Sequence, residues 1–300
     1  MISIITPCLN SVRFVNEAID SVRNQGIEAL EHIVVDGGST DGTRAVLATH
    51  AHLRRIEGSD TGIYDALNKG LNLAGGSLIG FLNADDCYAP GALAGMLRAF
   101  DDAGVMAVAG RAVAFADSGE LGESGEADRA VRTFPPAGEN LLYHCTLGNP
   151  TMNAWLFRKE VFARLGGFDA TYRIAGDREF MLRLACADMR HATIADLIYR
   201  YRVHSESTTF AGNDAVWHTV MREHMAISGR YLRKPALSAA ARGMIRSART
   251  RDTLQAAAYT WRRHEWRSFA RYAGAGMRHD LLWPLKLMRR TAQAGLKSVK

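Results

Sequence analysis

The chain is poor in the features that mark several protein classes. Its four cysteines, Cys8, Cys87, Cys145 and Cys186, are far apart in 300 residues. That spacing offers no paired metal-binding motif and no dense disulfide framework, and it fits a reduced, cytoplasmic compartment. No apolar run approaches the roughly 20 residues of a membrane-spanning helix. The stretch from Met1 to Pro7 lacks a basic segment and runs straight into a turn, unlike a secretory signal. A G-x-G-x-x-G loop is missing after the first apolar run, which argues against a dinucleotide-dependent dehydrogenase. Acidic residues are scarce in one region only. Residues 221–300 hold 4 Asp+Glu against 18 Lys+Arg, whereas residues 1–220 hold 27 against 19. The overall net charge of +6 hides this break, which is the best boundary signal in the chain.

What is present in the first hundred residues is alternation. Short apolar runs at Ile2 to Ile5, His32 to Val35, Leu53 to Glu57 and Leu78 to Leu82 predict strands. Amphipathic stretches at Val12 to Arg23, Thr40 to Thr49, Ile63 to Leu73 and Gly91 to Ala103 predict helices. Such alternation predicts an α/β fold, a mostly parallel central sheet with helices on both faces. Ligands of such sheets bind beyond the carboxyl ends of the strands. Thr6-Pro7, Asp36-Gly37-Gly38, Asp60 and Asp85-Asp86 all fall at that rim. Later the pattern changes. Val105 to Phe115 reads as strand, Asp117 to Asp128 as a polar turn, and Arg132 to Gly148 as loop. Met152 to Phe157 reads as strand, Lys159 to Leu165 and Asp177 to Ala187 as helices, and Ala192 to Val203 as a strand pair or one bent strand. From Ala215 onward the chain reads as helical.

Asn83-Ala84-Asp85-Asp86 carries the most chemistry. Two adjacent carboxylates at the end of a buried strand repel each other and resist burial unless a divalent cation sits beside them. Carboxylate oxygens suit Mg2+ or Mn2+, ions that often complete their shell with phosphate oxygens. The pair is therefore expected in a turn, with one carboxylate on metal and the other on a sugar hydroxyl. The plainer alternative is a pair capping the helix near Pro90. Asp36, at a strand end before a Gly turn, suits a nucleobase or ribose, or a simple turn. In Asp60-Thr61-Gly62-Ile63-Tyr64-Asp65-Ala66-Leu67-Asn68-Lys69, Asp60 and Thr61 are candidate helix caps. Lys69 could meet a phosphate or be a solvated charge. Asn68 has no evident structural need for its amide. Asp177 opens a helix, where it serves either as general base or as a dipole-complementing cap. His204, at the end of a strand, could give a nitrogen to the same metal.

Together these segments resemble a nucleotide-sugar glycosyltransferase of family 2, with the GT-A fold, over residues 1 to 205. The resemblance is carried by Ser3 to Asn10, Val35 to Thr43, Asp60 to Gly70, Asn83 to Asp86, and Gly166-Gly167-Phe168-Asp169 followed by Asp177. It implies hexosyl transfer with inversion, from a UDP-, GDP- or dTDP-linked sugar to a saccharide or lipid-linked acceptor. Bacterial exopolysaccharide, O-antigen or glycolipid synthesis is the implied setting. Thr6, Pro7, Asn10 and Asp36 would line the nucleoside pocket, and Asp60 and Asn68 would lie near the ribose or donor. Asp86 would be the direct metal ligand, and Asp85 would bind ribose or support the metal site. Asp177 would be the base. Its neighbours Gly176 and Arg178 depart from the family's usual acidic or aromatic residue, which makes Glu179 a fallback base. The stretch from His144 to Pro150 also departs from the usual pattern.

Residues 1–214 are thus expected to form a GT-A domain and 215–300 a basic helical extension. Asp280 to Arg290 is apolar and basic, as interfacial helices are. The extension would either meet an anionic membrane surface at the inner face of the cell membrane or pack its apolar faces as core. No nucleic-acid-binding motif accompanies its arginines, so nucleic acid is not an expected partner. Rival functions fit less well. A sugar nucleotidyltransferase would want a Gly-rich basic loop after the first strand. A non-catalytic glycan-binding module would tolerate loss of the carboxylate pair or base, and both are present. A processive synthase is disfavoured by the lack of membrane spans and of Q-x-x-R-W.

Overall fold

The structure, a computed structural model, describes residues 1–116, 130–134, 140–148, 151–204 and 214–287. The turn expected over Asp117 to Asp128 lies outside the described residues. The chain divides into two compact units. One comprises Met1–Cys145 with Asn149–Gly212, the other Thr146–Gly148 with Asn213–Lys300.

The first unit begins with the alternation read from the sequence: β1 (Ile2–Cys8), α1 (Val15–Arg23), β2 (Leu30–Asp36), α2 (Thr43–Ala48), β3 (Arg54–Glu57), α3 (Ile63–Leu73), β4 (Leu78–Phe81), β5 (Cys87–Tyr88) and α4 (Ala92–Ala99). It continues with β6 (Ala107–Ala116), β7 (Ala130–Phe134), α5 (Leu141–Thr146), a 3-10 turn at Met152–Ala154, β8 (Trp155–Arg158), α6 (Lys159–Leu165), α7 (Gly176–Cys186) and β9 (His191–Val203). The stretch from Arg132 to Gly148, expected as loop, thus holds the end of a strand and a short helix.

One sheet runs β3-β2-β1-β4-β8-β6-β9-β5, with β7 paired to β6. The β3-β2-β1-β4 part is parallel, as the alternation requires. Beyond it the sheet is mixed. β8 lies antiparallel to both β4 and β6, β9 is parallel to β6, and β5 and β7 are antiparallel to their partners. Hydrophobic runs announce a strand but not its direction, so this half was not readable in advance.

All seven residues of β1 are buried. Neighbouring side chains on a strand face opposite ways. Ile4 joins the core formed with α1 and α4. Ile5 faces α3, which lies so close that a Cβ at Gly70 would come 2.4 Å from Ile5 Cγ2. Pro7, lacking an N–H, sits past the point where β4 stops pairing with β1, at Ile5. Below the sheet, Phe81, Phe157, Phe162, Phe168 and Phe180 pack together. Phe180 stacks on Phe162 at 5.0 Å and tilts against Phe168 at 5.0 Å. This cluster fixes α7 and the loop before it.

The second unit is helical: α8 (Asp214–Leu232), α9 (Ala239–Arg262) and α10 (Trp266–Met277). Ser238 caps α9 by accepting a hydrogen bond from Ala241 N–H. Met221, Leu254, Ala257, Tyr272 and Trp283 form its core. Among the described residues, no helix is long and apolar enough to cross a membrane.

Phe180 is fully buried in the aromatic cluster. Phe180→Ala should therefore cost about 3–5 kcal/mol of stability, measured by urea unfolding. A loss under about 1 kcal/mol would show that α7 is held by something other than this cluster.

Candidate active site

Because β1, β2 and β4 are parallel, their carboxyl ends share one rim. Cys8, the last residue of β1, registers this convergence. Burial pushes its thiol up to about 12, and Asp36, Asp41 and Asp85 add to the rise. The loops bearing these carboxylates therefore meet around the end of β1.

Asn83 to Asp86 forms a turn, closed by Asp86 N–H donating to Asn83 O at 3.2 Å. The turn sends its two carboxylates to different places. Asp86 is buried. Its Oδ2 accepts from the Tyr199 hydroxyl at 2.8 Å and Asn83 Nδ2 at 3.0 Å, and its Oδ1 accepts from Arg202 N–H at 2.8 Å. Burial, then the charge of Asp85, push its carboxyl well above the usual range, while these donors pull it down. Asp85 is about a third exposed, at 35 %, and its Oδ2 lies 3.1 Å from His204 Nε2. The two carboxylates of the expected metal pair thus differ in setting. Asp86 is committed to protein donors, and the carboxylate facing outward beside His204 is Asp85. Neither carboxylate caps α4, whose N-cap is Gly91.

Asp36 is also committed. Its carboxylate accepts from Ser39 N–H at 3.2 Å and from the Ser39 hydroxyl, and it pairs with Arg44 Nε at 2.7 Å. These contacts outweigh the upward push of burial and hold its carboxyl below the usual range. Asn10, at φ 49°, ties two loops together, its N–H donating to Ser39 Oγ and its Oδ1 accepting from Thr40 N–H. Asp60 approaches Gly37 so closely that a Cβ there would lie 2.3 Å from Asp60 Oδ2. Asp60 Oδ1 accepts from Gly62 N–H at 3.0 Å. The N-cap of α3 is Gly62 itself, rather than Asp60 or Thr61.

The other candidates also make contacts within the protein. Thr6 is buried, with its hydroxyl 2.8 Å from His32 Nε2, and Pro7 is buried beside it. Asn68 does have a structural role. Its amide donates to Phe168 O and accepts from Phe168 N–H, both at 2.8 Å. Lys69 donates to Ser59 O at 2.8 Å and pairs with Asp65 at 3.0 Å. Glu179, a buried residue of α7, is paired with Arg183, which also holds Leu165 O and Gly167 O.

Asp177 sits in the first turn of α7, half-buried. Its Oδ1 accepts from Arg178 N–H at 2.7 Å and lies 3.1 Å from the Tyr64 hydroxyl. That hydroxyl also lies 2.5 Å from Ile174 O, so its single proton serves one acceptor at a time. Among the described residues, Asp177 Oδ2 takes no protein hydrogen bond. Burial raises its carboxyl above the usual range, against the pull of Arg178 N–H and Tyr64. Tyr201 links the two halves of the site: after burial, the charges of Asp86 and Asp177 both push its hydroxyl up.

Three contributors were missed. Arg202 donates through Nε to Asp85 O at 3.0 Å, pairs with Glu17 at 2.5 Å, and lies over the rings of Phe14 and Phe115 at 4.9 and 4.8 Å. Tyr199 holds Asp86, and Tyr64 holds Asp177. The alternation in Tyr199-Arg200-Tyr201-Arg202-Val203-His204 was the available signal, since it presents tyrosines on one face and Arg202 and His204 on the other.

Among the described residues, no group of three or more His, Cys, Asp or Glu could hold a metal ion. Asp85 and His204 supply two donors, a carboxylate oxygen and an imidazole nitrogen. That set suits Mn2+ or Mg2+ if phosphate oxygens and water complete the shell.

This architecture is that of the GT-A glycosyltransferases. Staphylococcus aureus TarS 1–349, solved in complex with UDP-GlcNAc, matches with a TM-score of 0.68 at 16% identity, covering 93% of this chain and 81% of that one. A mannosyltransferase from Pyrobaculum calidifontis, solved with GDP-Man and Mn2+, matches with a TM-score of 0.62 at 20% identity, covering 98% and 80%. At these identities the likeness is one of fold. The chain belongs to glycosyl transferase family 2, whose sequence profile matches residues 3–166. A PGL/p-HBAD biosynthesis glycosyltransferase of Mycobacterium bovis is 42% identical over 91 residues, spanning 29% of this chain and only 36% of that protein. An uncharacterized glycosyltransferase of Mycobacterium tuberculosis is 30% identical over 188 residues, 61% of this chain and 68% of that one.

The raised Asp177 carboxyl has a stability consequence. The folded state holds this proton more tightly than the unfolded chain, so stability falls as pH rises from the ordinary carboxylate value through the raised one. Asp177→Asn keeps the Oδ1 acceptor and removes the charge. It should unfold at the same or a higher urea midpoint at pH 7, with any gain shrinking below about pH 4. A lower midpoint at pH 7 would mean that the charge is stabilising.

Proposed function

We propose that this chain is an inverting, cation-dependent glycosyltransferase with a nucleotide-diphosphate-linked sugar as donor. The acceptor we infer is a hydroxyl of a saccharide, free or lipid-linked. The observation that carries the reading is Asp177, a half-buried carboxylate with Oδ1 anchored, Oδ2 without a protein partner among the described residues, and a proton affinity raised by burial. The donor class is supported by the UDP-GlcNAc of TarS and the GDP-Man of the archaeal mannosyltransferase.

In this mechanism Asp177 Oδ2 takes the proton of the acceptor hydroxyl as that oxygen attacks the anomeric carbon. The new C–O bond forms on one face while the bond to the diphosphate breaks on the other, so the nucleoside diphosphate leaves with the electron pair. Tyr64 and Arg178 N–H keep Oδ1 in place, which aims Oδ2. Asp85 and His204 would hold Mg2+ or Mn2+, whose chemistry is to offset charge on the departing diphosphate. Asp60 would accept from a donor hydroxyl through Oδ2. Asp36 could do the same for a nucleobase or ribose only when Arg44 gives way. Asp86 and Arg202 position the turn that carries Asp85.

Asp177→Asn should lower transfer by about 10²–10⁴-fold, while donor binding, read as a thermal shift with Mn2+, is retained. Full turnover by that variant, with an acceptor the wild type uses, would refute the base. The acid limb of the rate profile should lie above the usual aspartate range. For the cation, Asp85→Asn and His204→Ala should each abolish the Mn2+-dependent part of the donor-induced shift. Transfer undiminished in excess EDTA would remove the cation from the reading.

A further inference from the structure

The end of the second unit presents apolar side chains to water in a fixed way. Trp283 is buried. Its Nε1 donates to Thr253 Oγ1 at 2.9 Å, and its ring lies so close to Gly276 that a Cβ there would be 2.1 Å from Nε1. Asp280 shapes the turn before it, with Oδ1 accepting from Leu282 N–H and its carbonyl from Trp283 N–H, both at 3.0 Å. Anchoring Trp283 leaves its neighbours no inward direction. Leu281 is 95 % exposed, Leu282 59 %, Leu285 53 % and the nearby Met277 48 %. Leaving four large apolar side chains this exposed within nine residues is unfavourable unless something covers them.

Charge narrows what that cover is. Residues 221–300 carry 18 Lys+Arg against 4 Asp+Glu, and Arg267 and Arg271 on α10 and Arg278 just past its end are exposed. A second copy would bring two strongly basic units together, which is repulsive. Nucleic acid would match the charge but leave the leucines uncovered. An anionic bilayer matches both, since basic side chains meet its headgroups while leucines enter the acyl boundary. We infer that the 277–285 turn is a docking face for an anionic lipid surface. The inference concerns the second unit alone and does not depend on the catalytic reading.

The test uses the full chain and sedimentation with vesicles, either of phosphatidylcholine alone or with roughly a third phosphatidylglycerol. Binding is expected to the anionic vesicles only and should weaken with added salt. Leu281→Ser with Leu285→Ser should weaken it by about tenfold or more, as should Arg267→Glu with Arg271→Glu. All four positions are exposed, and the single change Leu281→Ser, at the most exposed of them, serves if a double variant misfolds. No binding to anionic vesicles overturns the proposal, as does binding that the leucine changes leave untouched. Self-association abolished by the leucine changes would assign the face to a second copy. Equally tight binding to duplex DNA would make the basic charge alone responsible. Either result also overturns the proposal.

Discussion

A buried carboxylate holds the rim of the sheet together. Asp86 follows a strand that ends at Phe81, yet two of its three donors, Tyr199 and Arg202, lie more than a hundred residues later. Charge inside a protein is costly unless it is fully hydrogen-bonded, and removing one partner leaves the other stranded. The Asp86 contacts satisfy that condition and fasten the Asn83–Asp86 turn to β9. Arg202 extends the junction to α1 through Glu17 and packs its guanidinium over Phe14 and Phe115. Asp85 and His204 project from the two elements so joined, and their 3.1 Å approach follows from it.

The other half of the site is held by different means. Asp177 lies at the start of α7, which is pinned by aromatic packing beneath the sheet and by the Glu179–Arg183 pair. The loop before α7 is clamped by Asn68 through both ends of its amide. Tyr64 reaches from α3 to the Asp177 carboxylate. Helix α3 thus contributes twice to placing Asp177. Its close seat on β1, made possible by Gly70, carries sheet geometry into the position of Asp177.

Much of the fold was legible because its signals are local. The limits of α3 and α6 are those read from hydrophobic period. The parallel β3-β2-β1-β4 core follows from strand-helix alternation, which permits little else. The direction of β8, and its place between β4 and β6, were not legible, since pairing partners are chosen across the chain. The same division runs through the site. Carboxylates at strand ends could be singled out, because strand ends in such sheets meet at one edge. Their individual states could not, because Ser39 and Arg44 reach Asp36 only through the way the turn after β2 folds, and Phe168 meets Asn68 from 100 residues away, neither with a sequence period.

The carboxylate pair shows where that boundary lies. The sequence by itself determined that Asp85 and Asp86 stand in a turn at the end of a buried strand, with His204 at the end of another, because strand periodicity and chain polarity are local properties. Only the tertiary structure decided which carboxylate is buried on Tyr199 and which faces outward beside His204. Adjacent residues of a turn point in different directions, and the strand that distinguishes them, β9, comes from more than a hundred residues away.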